Sequence, residues 1–204
     1  FIRSLARPGG NLTGLASSVP EGFSGKLLEL AREAIPSAKR VGVLFNAGNP
    51  RNYFHQFAQQ WAEAAEALKL ELQRMDMRRP EDLDSLFRAA HQAQVGVVVL
   101  VGDPLIFEHR MRIHDLAAQY RIPTIQPTKE YLAGRGFLSY GPNLTELISG
   151  AAVYVDRILK GGNPAELPVE QPRQYELVVN LRSAKALGLA IAPSLLLRAD
   201  QIIE

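Results

Sequence analysis

Residues 40–70, RVGVLFNAGNPRNYFHQFAQQWAEAAEALKL, join a short apolar run to a long amphipathic segment through a polar turn. The run at 41–46 has the β-branched and aromatic residues that favour a strand. From 52 to 68, apolar residues recur on one stripe with glutamine and glutamate opposite, which predicts a helix. Glycine, asparagine and proline at 48–50 form the turn between them. The stretch therefore predicts strand, polar turn and helix, the repeating unit of a parallel sheet.

The same alternation of strand and helix continues from residue 22 to residue 160. Residues 95–101, VGVVVLV, are a continuous Val and Leu run, typical of a strand covered on both faces of a parallel sheet. Further strands are predicted at 70–75, 122–126, 136–141 and 175–180, and further helices at 22–35, 80–93 and 144–160. The pattern predicts an α/β fold with a doubly wound parallel sheet. For residues 163–189 we expect one strand and one short helix in a tail that crosses the surface or passes between lobes.

The composition excludes several classes of protein. The chain has 204 residues with 23 basic and 21 acidic side chains, and no run of like charges marks a nucleic-acid surface. The absence of cysteine excludes disulfides, thiolate metal sites and cysteine nucleophiles. No apolar segment reaches the roughly 18 residues that a membrane span needs. We therefore expect an ordinary globular protein that acts on neither nucleic acid nor the bilayer.

Polar residues follow the predicted strands at four turns. In an open parallel sheet, ligands bind beyond the carboxyl ends of the strands, so these turns are candidate contacts. The candidate ligand-binding residues are Asn46, Asn49, Asn52, Asp103, Pro104, Gln126 with Thr128, and Tyr140. Asparagine and aspartate also cap helices, and proline favours the first helical turn. Both interpretations, ligand contact and local structure, stay open for each of these residues.

Catalytic and metal-binding patterns are absent from the sequence. It contains no G-x-S-x-G, P-loop, H-E-x-x-H or G-x-G-x-x-G motif after a strand. The four histidines stand apart from the predicted strand ends, and we expect each of them to lie on the surface. They are His55, His91, His109 and His114. We expect no catalytic residue, metal or cofactor. Neutral polar turns without an acid/base set favour a binding protein over an enzyme.

Several segments carry a resemblance to a known family. The motifs are RPGGNLTGLA, VVVLVGDPLI, GFLSYGPNLTEL and the C-terminal NLRSAKALGLAIAPSLLLRADQIIE. From residue 7 to residue 204 the chain resembles the solute-binding proteins of bacterial ABC importers, in the group associated with tryptophan or tyrosine uptake. The resemblance implies a two-lobed periplasmic binding protein fold of type 1, with solute held in a cleft. The implied parts are a C-terminal lobe at 15–133, a hinge with an N-terminal lobe remnant at 1–14 and 134–165, and a tail at 166–204 that crosses back to the C-terminal lobe.

The resemblance also implies roles for the candidate residues. The turn at 46–52 would line the cleft, with Asn49 and Asn52 as hydrogen-bonding groups. Asp103 would meet the ammonium of an amino-acid-like solute, and Tyr140 would pack on its apolar part. The turn departs from the usual family form at Ala47-Gly48, so the contacts there are expected to differ in detail.

Partners and location follow from the same resemblance. It implies delivery of the solute to a membrane permease by a protein of the periplasm, or of the extracellular face with a lipid anchor. The chain begins at Phe1 without a methionine or export signal, so we expect a piece lacking most of its N-terminal lobe, whose uncovered surface forms a homodimer. The alternatives are the effector-sensing domain of a transcription regulator and a small-molecule α/β enzyme.

Overall fold

The computed structural model describes residues 2–17, 19–20, 22–50, 54 and 58–204. In these ranges the helices are α1 (Phe23–Ala34), α2 (Ala58–Ala67), α3 (Asp82–Gln92), α4 (Pro104–Glu108), α5 (Arg110–Tyr120), α6 (Leu144–Leu159), α7 (Leu181–Leu187) and α8 (Pro193–Arg198). The strands are β1 (Arg40–Asn46), β2 (Glu71–Met77), β3 (Val97–Leu100), β4 (Thr124–Gln126), β5 (Leu138–Pro142), β6 (Tyr175–Asn180) and β7 (Gln201–Ile203).

The strands form one sheet in the order β2-β1-β3-β4-β5-β6-β7. Strand β1 pairs in parallel with both β2 and β3, and the pairs β3–β4, β4–β5 and β6–β7 are also parallel. Strand β2 pairs along one edge of β1, and the chain then returns past β1 so that β3 pairs along the other edge. This reversal of strand order is the mark of a doubly wound sheet, so the predicted fold class is confirmed.

The core lies around the centre of this sheet. Every residue of β3 is buried, as its continuous apolar sequence predicted for a strand covered on both faces. Trp61 on α2 and Phe87 on α3 are fully buried, as is Phe45 on β1. Gly42 allows close packing on β1, because a Cβ there would lie 2.8 Å from the sulfur of Met75 on the neighbouring strand.

The C-terminal segment differs from the expected surface tail. The strand and the short helix predicted within 163–189 are confirmed as β6 and α7. Beyond residue 189 the chain adds α8 and β7, which were not predicted, and β6 and β7 extend the sheet. Asn180 joins β6 to α7: its Oδ1 accepts the Ser183 N–H at 3.2 Å, and its Nδ2 donates to the Gly136 carbonyl at 2.9 Å. Strand β7 has three residues, which is too short for alternation to indicate a strand.

Strand β4 is followed by a short 3₁₀ turn, Lys129–Tyr131, where the alternation predicted a helix. Pro127 lies before the turn and Gly134 and Gly136 lie after it. These residues interrupt a regular helix, because proline lacks the N–H and glycine weakens the helix. The turn nevertheless brings Tyr131 next to Asp103, which follows the end of β3.

The chain divides into two compact units. The smaller unit comprises Phe1–Pro20 and Pro142–Tyr175, and the larger comprises Glu21–Gly141 and Glu176–Glu204 with the sheet. The lobe boundaries implied by the family resemblance stay a prediction.

Long-range hydrogen bonds join the two segments of the smaller unit. Thr13 Oγ1 donates to the Leu167 carbonyl at 2.6 Å, and the Glu170 N–H donates to the Gly14 carbonyl at 3.0 Å. These bonds tie the N-terminal segment to the chain that follows α6. In the part of the chain that the structure describes, no helix combines the length and apolar character needed to cross a membrane.

His114 on α5 is buried, with 3% of its surface exposed, so the expected surface position was wrong. Its Nε2 lies 2.8 Å from the Tyr131 carbonyl oxygen, to which it donates a hydrogen bond. Among the described residues, its Nδ1 has no hydrogen-bond partner. Burial lowers the pKa of His114, and the nearby Arg135 lowers it further, whereas the bond to the Tyr131 carbonyl acts in the opposite direction. The folded protein therefore favours a neutral imidazole.

The Gly141→Ala variant should be destabilised, because a Cβ at Gly141 would overlap the Pro127 carbonyl oxygen. We expect a loss of about 1–3 kcal/mol in the free energy of unfolding. The matched control is Gly25→Ala in α1, where a Cβ would lie at an ordinary 3.6 Å from the Ala64 Cβ. This change should stabilise the helix by about 0.5–1 kcal/mol. Chemical denaturation measures both values, and equal effects would contradict the packing at Gly141.

The His114→Gln variant should change how stability depends on pH. In the unfolded chain histidine takes up a proton below about pH 6.5, whereas the folded protein resists that proton because the pKa of His114 is lowered. Wild type should therefore lose stability as the pH falls through about 6.5, and the variant should lose less. Melting temperatures at about pH 7.5 and about pH 5.5 measure this difference, with exposed His91→Gln as the control. Equal losses in wild type and His114→Gln would contradict the buried neutral imidazole.

Candidate functional site

The carboxyl ends of β1 and β3 lie side by side in the sheet. The two strands pair from Val41 opposite Val97 to Leu44 opposite Leu100. The Val101 N–H then continues the pairing by donating to the Leu44 carbonyl oxygen at 2.9 Å. Parallel neighbours end at the same edge of the sheet, so the loops that follow them are adjacent. This edge is the switch point where strand order reverses, and doubly wound proteins bind ligands at that position.

Asp103 is the N-cap of α4. Its backbone is extended, and its Oδ1 accepts the Leu105 N–H at 2.9 Å. The exposed Pro104 occupies the first helical position, where a missing N–H has no helical partner to lose. The capping role that the sequence left open is therefore present. This capping bond uses one acceptor position of Asp103 Oδ1, so Oδ1 and Oδ2 can still accept hydrogen bonds from other donors.

Two asparagines, one at the end of β1 and one in the loop after it, donate to the same carboxylate. Asn46 Nδ2 lies 3.0 Å from Asp103 Oδ1, and Asn49 Nδ2 lies 2.8 Å from Asp103 Oδ2. Asn46 Oδ1 also accepts the Gly48 N–H at 2.9 Å, which shapes the turn. The structure thus brings together three of the predicted residues, and we call Asn46, Asn49 and Asp103 the rim. Asn52 lies outside the described residues.

Tyr131 fixes the backbone of Asp103 from the 3₁₀ turn after β4. Its hydroxyl accepts the Asp103 N–H and donates to the Asp103 carbonyl oxygen, both at 3.1 Å. Its ring packs edge-on against Phe107 of α4, with centroids 4.9 Å apart. Burial raises the pKa of the Tyr131 hydroxyl, while the bond from the Asp103 N–H acts in the opposite direction.

Sequence reasoning missed Tyr131. The available signal was its place five residues beyond β4, which ends at the same edge of the sheet as β3.

The remaining predicted residues make other contacts. Gln126 is fully buried, and its side-chain amide lies 2.6 Å from the Thr124 hydroxyl oxygen. Thr128 is buried, and its Oγ1 has no hydrogen-bond partner among the described residues. The half-buried Tyr140 stacks on Phe23 with ring centroids 5.9 Å apart. Ligand contact by Gln126 and Tyr140 stays a prediction.

Among the described residues, the donors to the buried Asp103 carboxylate are neutral amide N–H groups. Asp103 has 4% of its surface exposed and forms no ion pair with any described lysine or arginine. Within the described ranges, no group of three histidine, aspartate or glutamate side chains could hold a metal ion. Such an arrangement can recognise polar and charged groups of a small molecule by hydrogen bonding.

The chain has similarities to proteins of known sequence and structure. It is 21% identical over 189 residues to a tyrosine-binding protein of Clostridioides difficile (strain R20291), an alignment that covers 93% of this chain and 53% of that protein. The chain therefore spans about half the length of this curated relative. Among solved structures it superposes on an ABC domain in complex with L-Trp from Streptococcus pneumonia with a TM-score of 0.84 and 22% identity. That match covers 99% of this chain and 68% of the other.

A second structure, a conserved domain protein from Vibrio cholerae O1 biovar eltor, matches with a TM-score of 0.85 and 24% identity over 98% of this chain and 66% of that one. These likenesses show the fold, the periplasmic binding protein type 1 architecture, as predicted. The model of the family described as ABC transporter substrate binding protein matches residues 1–203. That family is one of binding proteins and not an enzyme family. Because this match spans nearly the whole chain, the chain belongs to the family of ABC transporter substrate-binding proteins.

Proposed function

We propose that this chain takes part in binding an aromatic amino acid and that the rim supplies polar contacts to it. The observation that carries the proposal is the convergence of Asn46, Asn49 and Asp103 at the switch point of the sheet. Asn46 ends β1, Asn49 follows it and Asp103 follows β3, so they meet because the two strands are neighbours. Doubly wound proteins bind small molecules at this position.

The chemistry of the rim suits an amino acid better than a sugar phosphate or a nucleotide. The side chains are one carboxylate and two neutral amides, and Asp103 pairs with no described cation. The Asp103 carboxylate would therefore repel an anionic ligand, whereas it would attract the ammonium of an amino acid. The relative described as a tyrosine-binding protein and the similar structure in complex with L-Trp support the choice of an aromatic amino acid.

Further contacts belong to the same proposal. Pro104 is exposed beside Asp103, and Asn52 comes three positions after Asn49 in the sequence. The ring of Tyr140 would pack on the apolar part of the solute. Two lobes would close on the solute, the C-terminal lobe at 15–133 and the N-terminal lobe remnant with the hinge at 1–14 and 134–165. The tail at 166–204 would cross back to the C-terminal lobe.

Transport follows from membership in the family. The family functions with ABC transporters, so we propose that the full-length protein passes its solute to a membrane permease. Such proteins work in the periplasm or, with a lipid anchor, on the extracellular face. We also propose that this chain forms a homodimer through an apolar surface, which the exposure of Ile148 (71%) and Leu159 (81%) on α6 supports.

The Asn49→Ala variant of the full-length protein should bind L-tyrosine and L-tryptophan at least about tenfold more weakly than wild type, a loss of roughly 1.4 kcal/mol. The change removes an amide that would contact the solute, and it also removes the donor that lies 2.8 Å from the Asp103 carboxylate within the rim. Isothermal titration calorimetry measures both affinities.

The matched control for Asn49→Ala is Gln92→Ala. Gln92 is exposed at the end of α3, which leads to the amino end of β3 and so to the opposite edge of the sheet. The affinity of Gln92→Ala for both amino acids should equal that of wild type. An Asn49→Ala affinity within about twofold of wild type would show that the rim does not contact the solute. Absence of binding by the wild-type protein to either amino acid would refute the choice of solute.

A further inference from the structure

The three side chains of the rim differ in what their atoms can do. A carboxylate only accepts hydrogen bonds, whereas an asparagine amide donates through its nitrogen and accepts through its oxygen. Asp103 presents Oδ1 to Asn46 Nδ2 and Oδ2 to Asn49 Nδ2, at 3.0 and 2.8 Å. An amide turned the other way would place its oxygen against a carboxylate oxygen, which is repulsive. The carboxylate therefore determines which end of each amide faces it.

A consequence follows for the amide oxygens. With both nitrogens held by Asp103, the oxygens of Asn46 and Asn49 lie on the sides directed away from the carboxylate. In Asn46 this oxygen accepts the Gly48 N–H at 2.9 Å and so orders the turn that carries Asn49. In the rim, the amide nitrogens therefore face the buried Asp103 carboxylate, and the amide oxygens, which accept hydrogen bonds, are turned away from it.

Asp103 itself is held on several sides. Its Oδ1 accepts the Leu105 N–H at 2.9 Å, in addition to the Asn46 amide. The Tyr131 hydroxyl bridges the Asp103 N–H and carbonyl oxygen at 3.1 Å each. With 4% of its surface exposed and its oxygens already engaged by protein donors, the carboxylate has little room for direct contact with a solute.

We propose that Asp103 is a positioning residue that orients the amides of Asn46 and Asn49, so that the rim selects a solute group that donates hydrogen bonds and carries positive charge, such as a primary ammonium. Tyr131 keeps Asp103 in place. The inference rests on the proposed function, since it assigns a role within that site. It differs from a direct ion pair between Asp103 and the solute.

The first test needs no solute. In 1H–15N spectra of the full-length protein, the side-chain NH2 signals of Asn46 and Asn49 are assigned by their loss in Asn46→Ala and Asn49→Ala. Asp103→Asn keeps the shape of the side chain and an oxygen for the Leu105 N–H, but its new amide cannot accept from both asparagines. Both pairs of NH2 signals should move in Asp103→Asn.

The matched control for this spectrum is Asp76→Asn, which removes a carboxylate that pairs with Arg74 on β2 at 2.9 Å. The NH2 signals of Asn46 and Asn49 should stay at their wild-type positions in this variant. Signals that also stay in place in Asp103→Asn would overturn the proposal, whether or not the protein binds any amino acid.

The second test measures affinity for L-tyrosine and for 3-(4-hydroxyphenyl)propionate, which lacks the amine. Asp103→Asn should weaken L-tyrosine binding at least about tenfold and leave the affinity for the amine-free analogue within about twofold. Tyr131→Phe, which keeps the ring on Phe107, should weaken L-tyrosine binding in the same direction by a smaller factor. Tyr120→Phe on α5 is its control and should bind as wild type does.

A double variant separates positioning from direct contact. If Asp103 acts through Asn49, then Asp103→Asn combined with Asn49→Ala should lose no more affinity than the more damaging single change. Losses that multiply would show that Asp103 contacts the solute independently and would overturn the positioning role. A wild-type protein that binds no amino acid refutes the proposed function, and the NH2 signals then still decide whether Asp103 orients the two amides.

Discussion

The parallel pairing of β1 with β3 is the constraint on which the rest of the larger unit depends. Four residue pairs, from Val41–Val97 to Leu44–Leu100, place the two strands side by side. All four residues of β3 are buried, and Gly42 lets the strands and the Met75 side chain approach closely. Because the strands run in the same direction, the loops after them leave the sheet at one edge. Asn46 and Asp103 meet for that reason alone.

Asp103 shows how one residue serves both the fold and the site. As an N-cap it satisfies the Leu105 N–H, and as a carboxylate at the rim it accepts from two asparagine amides. Burying a charge without partners is very unfavourable, so these donors and the Tyr131 bridge to its backbone are required for it to lie here. Capping and the organisation of the rim are therefore the same set of hydrogen bonds, and the two interpretations open from the sequence are compatible.

The regular elements could be predicted because their signals are local. The apolar run ending at Asn46, the Val-rich run ending at Leu100 and the amphipathic pattern of α2 each lie within one segment. Short elements carry too few residues for such a pattern, which explains why β7 and α8 were missed. His114 was placed on the surface because its burial depends on Tyr131, a residue of a different segment.

The sequence by itself determined the α/β class, the alternation of strand and helix, the family and the polar residues at the strand ends. Only the tertiary structure decided which of those residues meet. Asn46 is 57 positions from Asp103, Asn49 is 54 and Tyr131 is 28. Periodicity and capping signals extend over a few residues, whereas a hydrogen bond across such separations depends on strand order. Strand order is set by how the buried faces of the whole chain pack together, and no single segment contains that information.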